Sequence, residues 1–186
     1  MSFNPFPTAA PDFTDPLGLL RACHGRIAGH CETLRKLVPH LATHGADAEA
    51  REAMARIHRY FSTAAPHHHE DEEHDLFPLL RGRDADLDGL IAELGREHRT
   101  LAGHWADLKP LLVQPERAVA EPRHTAEVIA RFVAAYLAHA EKENEHLLPR
   151  AAQLITAAEQ QELGAAMAKR RGGPHGGTEP KPTTIK

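Results

Sequence analysis

Four stretches of this 186-residue chain carry apolar residues at intervals of three and four, the spacing that lines up on one face of an α-helix. No stretch alternates apolar and polar residues over the length of a strand. Four amphipathic helices with short to moderate connections bury their apolar faces by packing side by side in alternating directions. The sequence therefore predicts an all-α protein, an antiparallel up-and-down four-helix bundle with a short C-terminal fifth helix and a disordered tail.

Caps and prolines indicate where the first helices begin and end. Asp15 followed by Pro16 predicts the start of the first helix, and the apolar stripe of that helix stops at Pro39. Asp47 and Asp84 are candidate N-caps for the second and third helices, because their side chains accept hydrogen bonds from free backbone N–H groups.

Similar signals mark the second half of the chain. A loop containing Pro115 and Pro122 leads to the fourth helix, which is predicted to end near Pro149. Thr156 and Glu159 have the spacing of a capping box and predict a fifth helix. Four regions follow from these boundaries: a flexible N-terminal arm (1–14), the bundle (15–150), a helical extension (151–171) and a disordered tail (172–186).

The charge balance argues against some classes of partner. Lys and Arg number 22 and Asp and Glu number 26, so the formal net charge is −4, and no basic block is present. Nucleic acid and membranes are therefore not expected partners. Cys23 and Cys31 lie too far apart on one helix for a disulfide, and neither a signal peptide nor a membrane-spanning run is evident. We expect a cytoplasmic protein.

Each apolar stripe is interrupted near its middle by polar residues that keep the helical spacing. One histidine fills the gap in the first stripe and one fills the gap in the third, whereas the second and fourth stripes each contain a His-x-x-x-Glu pair. Residues three or four apart share a helix face. Six polar side chains are therefore predicted to point into the core, namely His24, His68, Glu72, His98, His139 and Glu143.

The two halves of the chain repeat this arrangement. Four residues of the second helix recur in the fourth at a constant offset of 71, namely Phe61, His68, Glu72 and Pro78 as Phe132, His139, Glu143 and Pro149. The segment HGRIAGHCETL, which starts at His24, matches HRTLAGHWADL, which starts at His98. The chain consists of two copies of a helical hairpin, each with one single His and one His-x-x-x-Glu pair.

The six predicted core residues have two interpretations. In the first, they are polar core residues that satisfy one another, which is the usual role of a single buried histidine. In the second, they hold metal, because two glutamates buried in one layer are costly unless a cation compensates their charge. Four imidazoles and two carboxylates in a twofold arrangement favour two metal ions, and this donor set suits iron, zinc or manganese.

The neighbours of these residues are expected to be peripheral. Three acidic residues of the second helix are predicted to face solvent, namely Glu70, Asp71 and Glu73, and three histidines to flank the buried seam, namely His67, His69 and His74. His69 and Glu73 nevertheless offer an alternative register for the ligands of the second helix.

Each of the other residues near the seam has two possible roles. His30 and His104 are expected to flank it, as a fifth ligand or as groups outside the ligand set. Trp105 and Tyr136 are predicted core aromatics, with the lining of a small-molecule pocket as the alternative. Cys31 is predicted to be a buried small hydrophobe, with a redox-active thiol as the alternative.

These helices resemble those of the hemerythrin family, whose members are also called HHE cation-binding domains. The resemblance is to the bacterial single-domain type of that family. YFSTAAPHHHEDEEHDLFPLL resembles the family's HHxxEE…LFP motif, and FVAAYLAHAEKENEHLLP resembles its HxxxEE…LFP motif. EHRTLAGHW resembles the EH…W of bacterial members. The resemblance covers roughly residues 15 to 150.

The resemblance implies two iron ions with a solvent-derived oxo or hydroxo bridge inside the bundle. The family's ligands fall here on His24, His68, Glu72, His98, His139 and Glu143, with the glutamates bridging. The chain departs from the oxygen carriers at Ala102, where they have a second histidine of the third helix, and Ala28 stands at the same point of the first helix. Asn144 stands where many members have a second glutamate.

We therefore expect a non-haem di-iron protein that binds O2 or a related small molecule, NO or peroxide, for sensing, storage or detoxification. The departures at Ala28 and Ala102 favour chemistry that needs exchangeable metal positions over simple O2 carriage. The alternatives are a di-iron enzyme that reduces peroxide or NO, and an iron storage or delivery protein.

Overall fold

The structure, a computed structural model, describes residues 12–172, which are helical and contain no strand. Its four long helices are Pro16–His44 (α1), Ala48–Asp71 (α2), Ala85–Val113 (α4) and Pro122–Lys142 (α6). α1 packs against α2 and α6, and α4 packs against the same two helices, so the four close into a bundle. The predicted all-α four-helix bundle is confirmed.

The predicted N-terminal arm and C-terminal tail fall mainly on residues 1–11 and 173–186, which lie outside the described residues. Within residues 12–172, no helix is both long enough and apolar enough to cross a membrane.

The predicted helix starts have the expected hydrogen bonds. Asp15 and Asp47 each accept a hydrogen bond from the backbone N–H three residues later, at 2.9 Å. Asp84 accepts two, at 2.9 and 3.1 Å. The helix predicted as the fifth is Ala157–Arg170 (α8). It begins with the capping box, in which the side chains of Thr156 and Glu159 each accept a hydrogen bond from the other residue's backbone N–H.

Prolines end fewer helices than the sequence predicts. α1 continues through Pro39 to His44, because Leu41 beyond the proline is buried in the core and its burial offsets the missing N–H bond. The expected loop contains a short helix, Pro115–Ala120 (α5), and Pro122 lies in the first turn of α6, where no intrahelical N–H bond is lost.

Two π-turns widen the helices that carry the His-x-x-x-Glu pairs. Their bounds are Glu72–Leu76 (π1), which leads into Phe77–Leu80 (α3), and Glu143–Leu147 (π2), which leads into Leu148–Leu154 (α7). In each, the N–H after the last residue donates to the carbonyl of the first, five residues back. Pro78 and Pro149 follow one residue later, and the wider turn relieves the clash of a proline ring with the preceding carbonyls. Each predicted core glutamate is thus the first residue of a π-turn.

A polar layer divides the apolar core into two clusters. One cluster contains Phe61 and Phe132, and the other contains Leu76 and Leu147. On every long helix, the predicted core histidines and glutamates stand between residues of one cluster and residues of the other. The polar layer is therefore covered by apolar side chains on both sides, which keep water from it.

Asp71 was predicted to face solvent, and this prediction is wrong, because its side chain is fully buried. α8 covers it and brings two arginines to its carboxylate, a contact between elements that helical periodicity does not reveal. Arg171 donates to Asp71 at 2.5 and 3.1 Å, and Arg170 donates to Asp71 and, at 2.7 Å, to Asp75. These ion pairs attach α8 to the end of α2, one residue before Glu72.

Replacing both arginines, Arg170→Ala with Arg171→Ala, is expected to lower the unfolding free energy by about 3 kcal/mol or more. The reason is that a buried carboxylate loses both of its cationic partners. Denaturant unfolding of the metal-free protein measures the loss, and adding Asp71→Asn should restore part of it. Lys169→Ala, at an exposed position of the same turn, should change the free energy by less than about 0.5 kcal/mol. A double variant as stable as the wild type would contradict this account.

Candidate metal centre

The six residues predicted to point into the core meet in the polar layer. α1 supplies His24, α4 supplies His98, and the two His-x-x-x-Glu pairs come from α2 with π1 and from α6 with π2. All six are buried: both glutamates are 0% exposed and no histidine exceeds 4%. Four helices are therefore needed to assemble the group.

The donor atoms form two groups that share both glutamates. We call them the first position (His24, His68, Glu72 and Glu143) and the second position (His98, His139, Glu72 and Glu143). Within each group, one donor atom from every residue lies within 4.8 Å of the others. The arrangement has the twofold pseudosymmetry that the sequence repeat predicts.

In the first position, the two imidazoles and two carboxylates face one another closely. The Nε2 atoms of His24 and His68 are 3.0 Å apart. Glu143 Oε2 lies 3.0 Å from His24 Nε2, and Glu72 Oε1 lies 3.5 Å from His68 Nε2.

The second position repeats this geometry with the other oxygen of each carboxylate. The Nε2 atoms of His98 and His139 are 3.0 Å apart. Glu72 Oε2 lies 3.4 Å from His98 Nε2, and Glu143 Oε1 lies 3.3 Å from His139 Nε2. Each glutamate thus directs one oxygen towards each position, which is the disposition of a bridging carboxylate.

Hydrogen bonds from outside the centre orient three of the four imidazoles. The Nδ1–H groups of His24, His98 and His139 donate to Asn144, Glu73 and Glu97 at 2.8, 2.7 and 2.8 Å. A neutral imidazole that donates from Nδ1 carries its lone pair on Nε2. Three Nε2 atoms therefore face the centre in the form that binds a metal ion.

The sequence predicts none of these three residues as a hydrogen-bond acceptor for a histidine. Glu97 is not predicted at all, although it directly precedes His98, because it reaches across to His139 on another helix. Glu73 was expected to be solvated, and its side chain is indeed 44% exposed, yet it also bonds His98. Glu73 thus bonds His98 from outside the centre, and Glu72 lies within it.

The buried atoms of the centre fit a pair of metal ions. Two Nε2 lone pairs at 3.0 Å repel each other unless a proton or a cation lies between them. All four carboxylate oxygens of Glu72 and Glu143 are buried, and none has a hydrogen bond within the described part of the chain. Buried polar groups are normally hydrogen-bonded, and unpaired buried charges cost several kcal/mol. One cation at each position would compensate both the lone pairs and the carboxylates.

The two glutamates differ in their response to this environment. Burial and then the charge of Glu143 raise the pKa of Glu72 well above its usual value. Burial acts in the same direction on Glu143, but contacts with His139 and His24 outweigh it and hold the pKa of Glu143 well below its usual value. Without metal, the surroundings therefore favour the protonated form of Glu72 and the ionised form of Glu143.

His69 was predicted to flank the seam, and it lies beside the second position. One of its ring nitrogens lies within 4.8 Å of donor atoms of His98 and His139. Its Nε2 is buried and has no hydrogen-bond partner among the described residues. The ring stacks on His98, with centroids 4.1 Å apart and planes at 16°. The signal in the sequence was the run of three histidines that ends at His69.

His30 and His104 lie outside both positions. Neither belongs to a group with metal-ligand spacing in residues 12–172. His30 stacks on Tyr60 with centroids 4.3 Å apart, and burial lowers its pKa to about 4, so it is a neutral core side chain. Burial raises the pKa of Cys31 to about 12, so this thiol stays protonated and packs as a small hydrophobe.

The aromatic residues near the seam pack in the apolar cluster on one side of the centre. Trp105 contacts Phe61 at a centroid distance of 5.7 Å. Tyr136 lies parallel to His69 at 6.0 Å, and burial raises its pKa. Ala28 and Ala102 are exposed, so neither lines the centre.

Comparison with known proteins agrees with this geometry. A family model described as "Hemerythrin HHE cation binding domain" matches residues 15–151, a range that contains all six candidate ligands. An uncharacterized protein of Haemophilus influenzae is 32% identical over 161 residues, which cover 86% of this chain and 91% of that relative.

Glu72→Gln is expected to stabilise the metal-free protein, and the gain should grow as the pH rises above about 4.5. Because the folded-state pKa of Glu72 is raised, the folded wild type holds a proton that the unfolded chain releases. Its stability therefore falls with rising pH, by up to about 1.4 kcal/mol per pH unit, until the folded pKa is reached. Glutamine needs no proton.

Denaturant unfolding of metal-free protein at several values between about pH 5 and 8 measures this difference. Glu145→Gln, at an exposed position of π2, is the matched control and should show no trend with pH. A stability difference between Glu72→Gln and wild type that is constant over the range would show that Glu72 is ionised in the metal-free protein.

Proposed function

The chain belongs to the hemerythrin HHE cation-binding family, and we propose that it is a non-haem di-iron protein that binds O2 or a related small molecule such as NO or peroxide. The observation that carries the proposal is the pair of buried glutamates, each of which directs one oxygen to each of two histidine pairs. A single metal ion would leave half of these donors without a partner.

The donor types support iron. Imidazole nitrogen and carboxylate oxygen suit iron, whereas the two cysteines lie outside the candidate metal groups and are not offered as ligands. Bound iron would supply redox electrons and exchangeable coordination positions for a small molecule. Zinc and manganese accept the same donors, so metal analysis is the decisive measurement.

The chain's own residues prepare the centre in three ways. Asn144, Glu73 and Glu97 hold the imidazoles so that Nε2 faces inward. The apolar clusters on both sides keep bulk water away, which slows the loss of a reactive ligand. The π-turns at Glu72 and Glu143 set both carboxylates into the polar layer, and such turns are frequent at functional sites.

We further propose that the protein acts in the cytoplasm, where its two buried thiols remain reduced. Cys23 and Cys31 are both free and buried. The proposed partner is a small molecule that diffuses into the bundle, with no nucleic acid and no membrane required.

Freshly purified wild-type protein is expected to contain two iron ions per chain, and His68→Ala with His139→Ala should lose them. This double variant removes one imidazole from each position, and side chains that ligate metal contribute directly to affinity. Elemental analysis measures the content, and circular dichroism checks that the variant keeps its helices. His67→Ala, one residue from a candidate ligand but outside both positions, should retain the metal.

The same samples test the small-molecule proposal. Reduced, iron-loaded protein is expected to change its absorption spectrum with O2, NO or peroxide, one of which should be taken up stoichiometrically. Zinc or no metal in the wild type would exclude the di-iron proposal, and an unchanged spectrum with all three molecules would exclude binding. Consumption in many-fold excess over protein would instead identify an enzyme.

A further inference from the structure

The C-terminal helix α8 completes the apolar cover on one side of the polar layer. Leu163 and Met167 are buried, and they belong to the cluster that contains Leu76. Gly164 stands between them against the backbone carbonyl of Phe13, and a Cβ at this position would clash with that oxygen. α8 therefore packs closely on the segment that leads into α1, as well as on the cluster beside the centre.

Ion pairs hold α8 at both of its ends. Near the C-terminal end, Arg170 and Arg171 donate to the buried carboxylate of Asp71. Near the N-terminal end, Arg83 from the turn before α4 pairs with Glu159. The side chains of these arginines are 18% to 30% exposed, so water is available at both ends of the helix when an ion pair breaks.

α8 also shares few of the buried contacts of the bundle. Three of its 14 residues are buried, against eight of the 21 residues of α6. Ile155 and Thr156, between α7 and α8, have extended backbone, so α8 can move without unwinding the helix before it. Elements with few buried contacts open at a lower free energy than the core of the same protein. We therefore expect α8 to open before the four long helices separate.

The buried glutamates connect the position of α8 to the metal content of the centre. Glu72 follows Asp71 directly, so the ion pairs of Asp71 fix the backbone that carries the Glu72 carboxylate. The carboxylate oxygens of Glu72 and Glu143 have no hydrogen-bond partner in the described chain. Without metal, opening of α8 exposes this end of α2 and gives water a route to those oxygens, which lowers the cost of their burial. With metal bound, the cations already compensate them, and opening brings no such gain.

From these contacts we propose that α8 is a latch whose closure is linked to metal loading. The closed latch holds Glu72 in the polar layer and excludes water, and so it strengthens metal binding. Bound metal favours the closed latch by the same factor, because the coupling of two equilibria is reciprocal. In the metal-free protein the latch opens more often, and its basic end with Lys169, Arg170 and Arg171 becomes accessible.

This inference rests on the proposed two-metal function and adds a response of the chain to metal loading. Arg170 and Arg171 are positioning residues in it, because they act on Glu72 through Asp71. Coupling between two sites is typically about 5–150-fold, and for one ion-paired turn we expect about tenfold.

Hydrogen exchange of the full chain, followed by mass spectrometry, measures the opening of α8. Metal-free protein and protein loaded anaerobically with Fe2+ are compared. Amides of α8 are expected to exchange about tenfold more slowly when Fe2+ is bound. The internal control is α5, which packs in the cluster on the other side of the polar layer and should change less.

Substitution of the latch arginines tests the coupling from the other direction. Arg170→Ala with Arg171→Ala should leave α8 open and weaken Fe2+ binding, measured by calorimetry, about tenfold. This factor should equal the factor by which Fe2+ slows exchange in the wild type, which a merely structural role would not require. Lys169→Ala should change neither quantity, and Arg170→Lys with Arg171→Lys should restore part of the affinity.

Arg83→Ala loosens the other end of α8 and gives the same comparison if the double variant fails to fold. Exchange in α8 that slows no more than exchange in α5, or open latch variants with unchanged Fe2+ affinity, would overturn the latch and leave the two-metal centre standing. Folded wild type that binds no Fe2+ would overturn both proposals.

Discussion

Two glutamates buried side by side in the core are the constraint on which the rest of this structure depends. A bundle of this size gains stability from apolar contacts, and it places fully buried Glu72 and Glu143 where those contacts would otherwise continue. Their charges repel, and they have no hydrogen-bond partner in the described chain. The arrangement is stable only when protons or metal ions supply compensating positive charge, so it is the mark of a site kept for function.

The surrounding fold confines the effect of that polar layer. Apolar clusters cover the layer on both sides, and all four long helices contribute residues to it. The two carboxylates are therefore shielded from water. The π-turns adjust the helical register at the two glutamates. α8 adds a second charged contact at Asp71, one residue from Glu72, which ties the end of α2 to the C-terminal helix.

The internal repeat accounts for the symmetry of the centre, and the two repeats differ in the residues that stand behind it. The candidate ligands are of the same type in both halves, since each position is formed by two imidazoles and shares the two carboxylates. Residues behind the ligands differ: carboxylates stand behind His98 and His139, and an amide stands behind His24.

The sequence by itself determined the helices, their caps and the six inward side chains, because helical periodicity and capping are local properties of the chain. Asp15, Asp47, Asp84 and the Thr156–Glu159 box have the hydrogen bonds expected of them. Only the tertiary structure decided the partners of those side chains. Glu97 meets His139, His69 meets His98, and Arg170 and Arg171 bury Asp71 across helices far apart in the chain. Such contacts depend on the rotation and register of packed helices, which the periodicity of one helix does not contain.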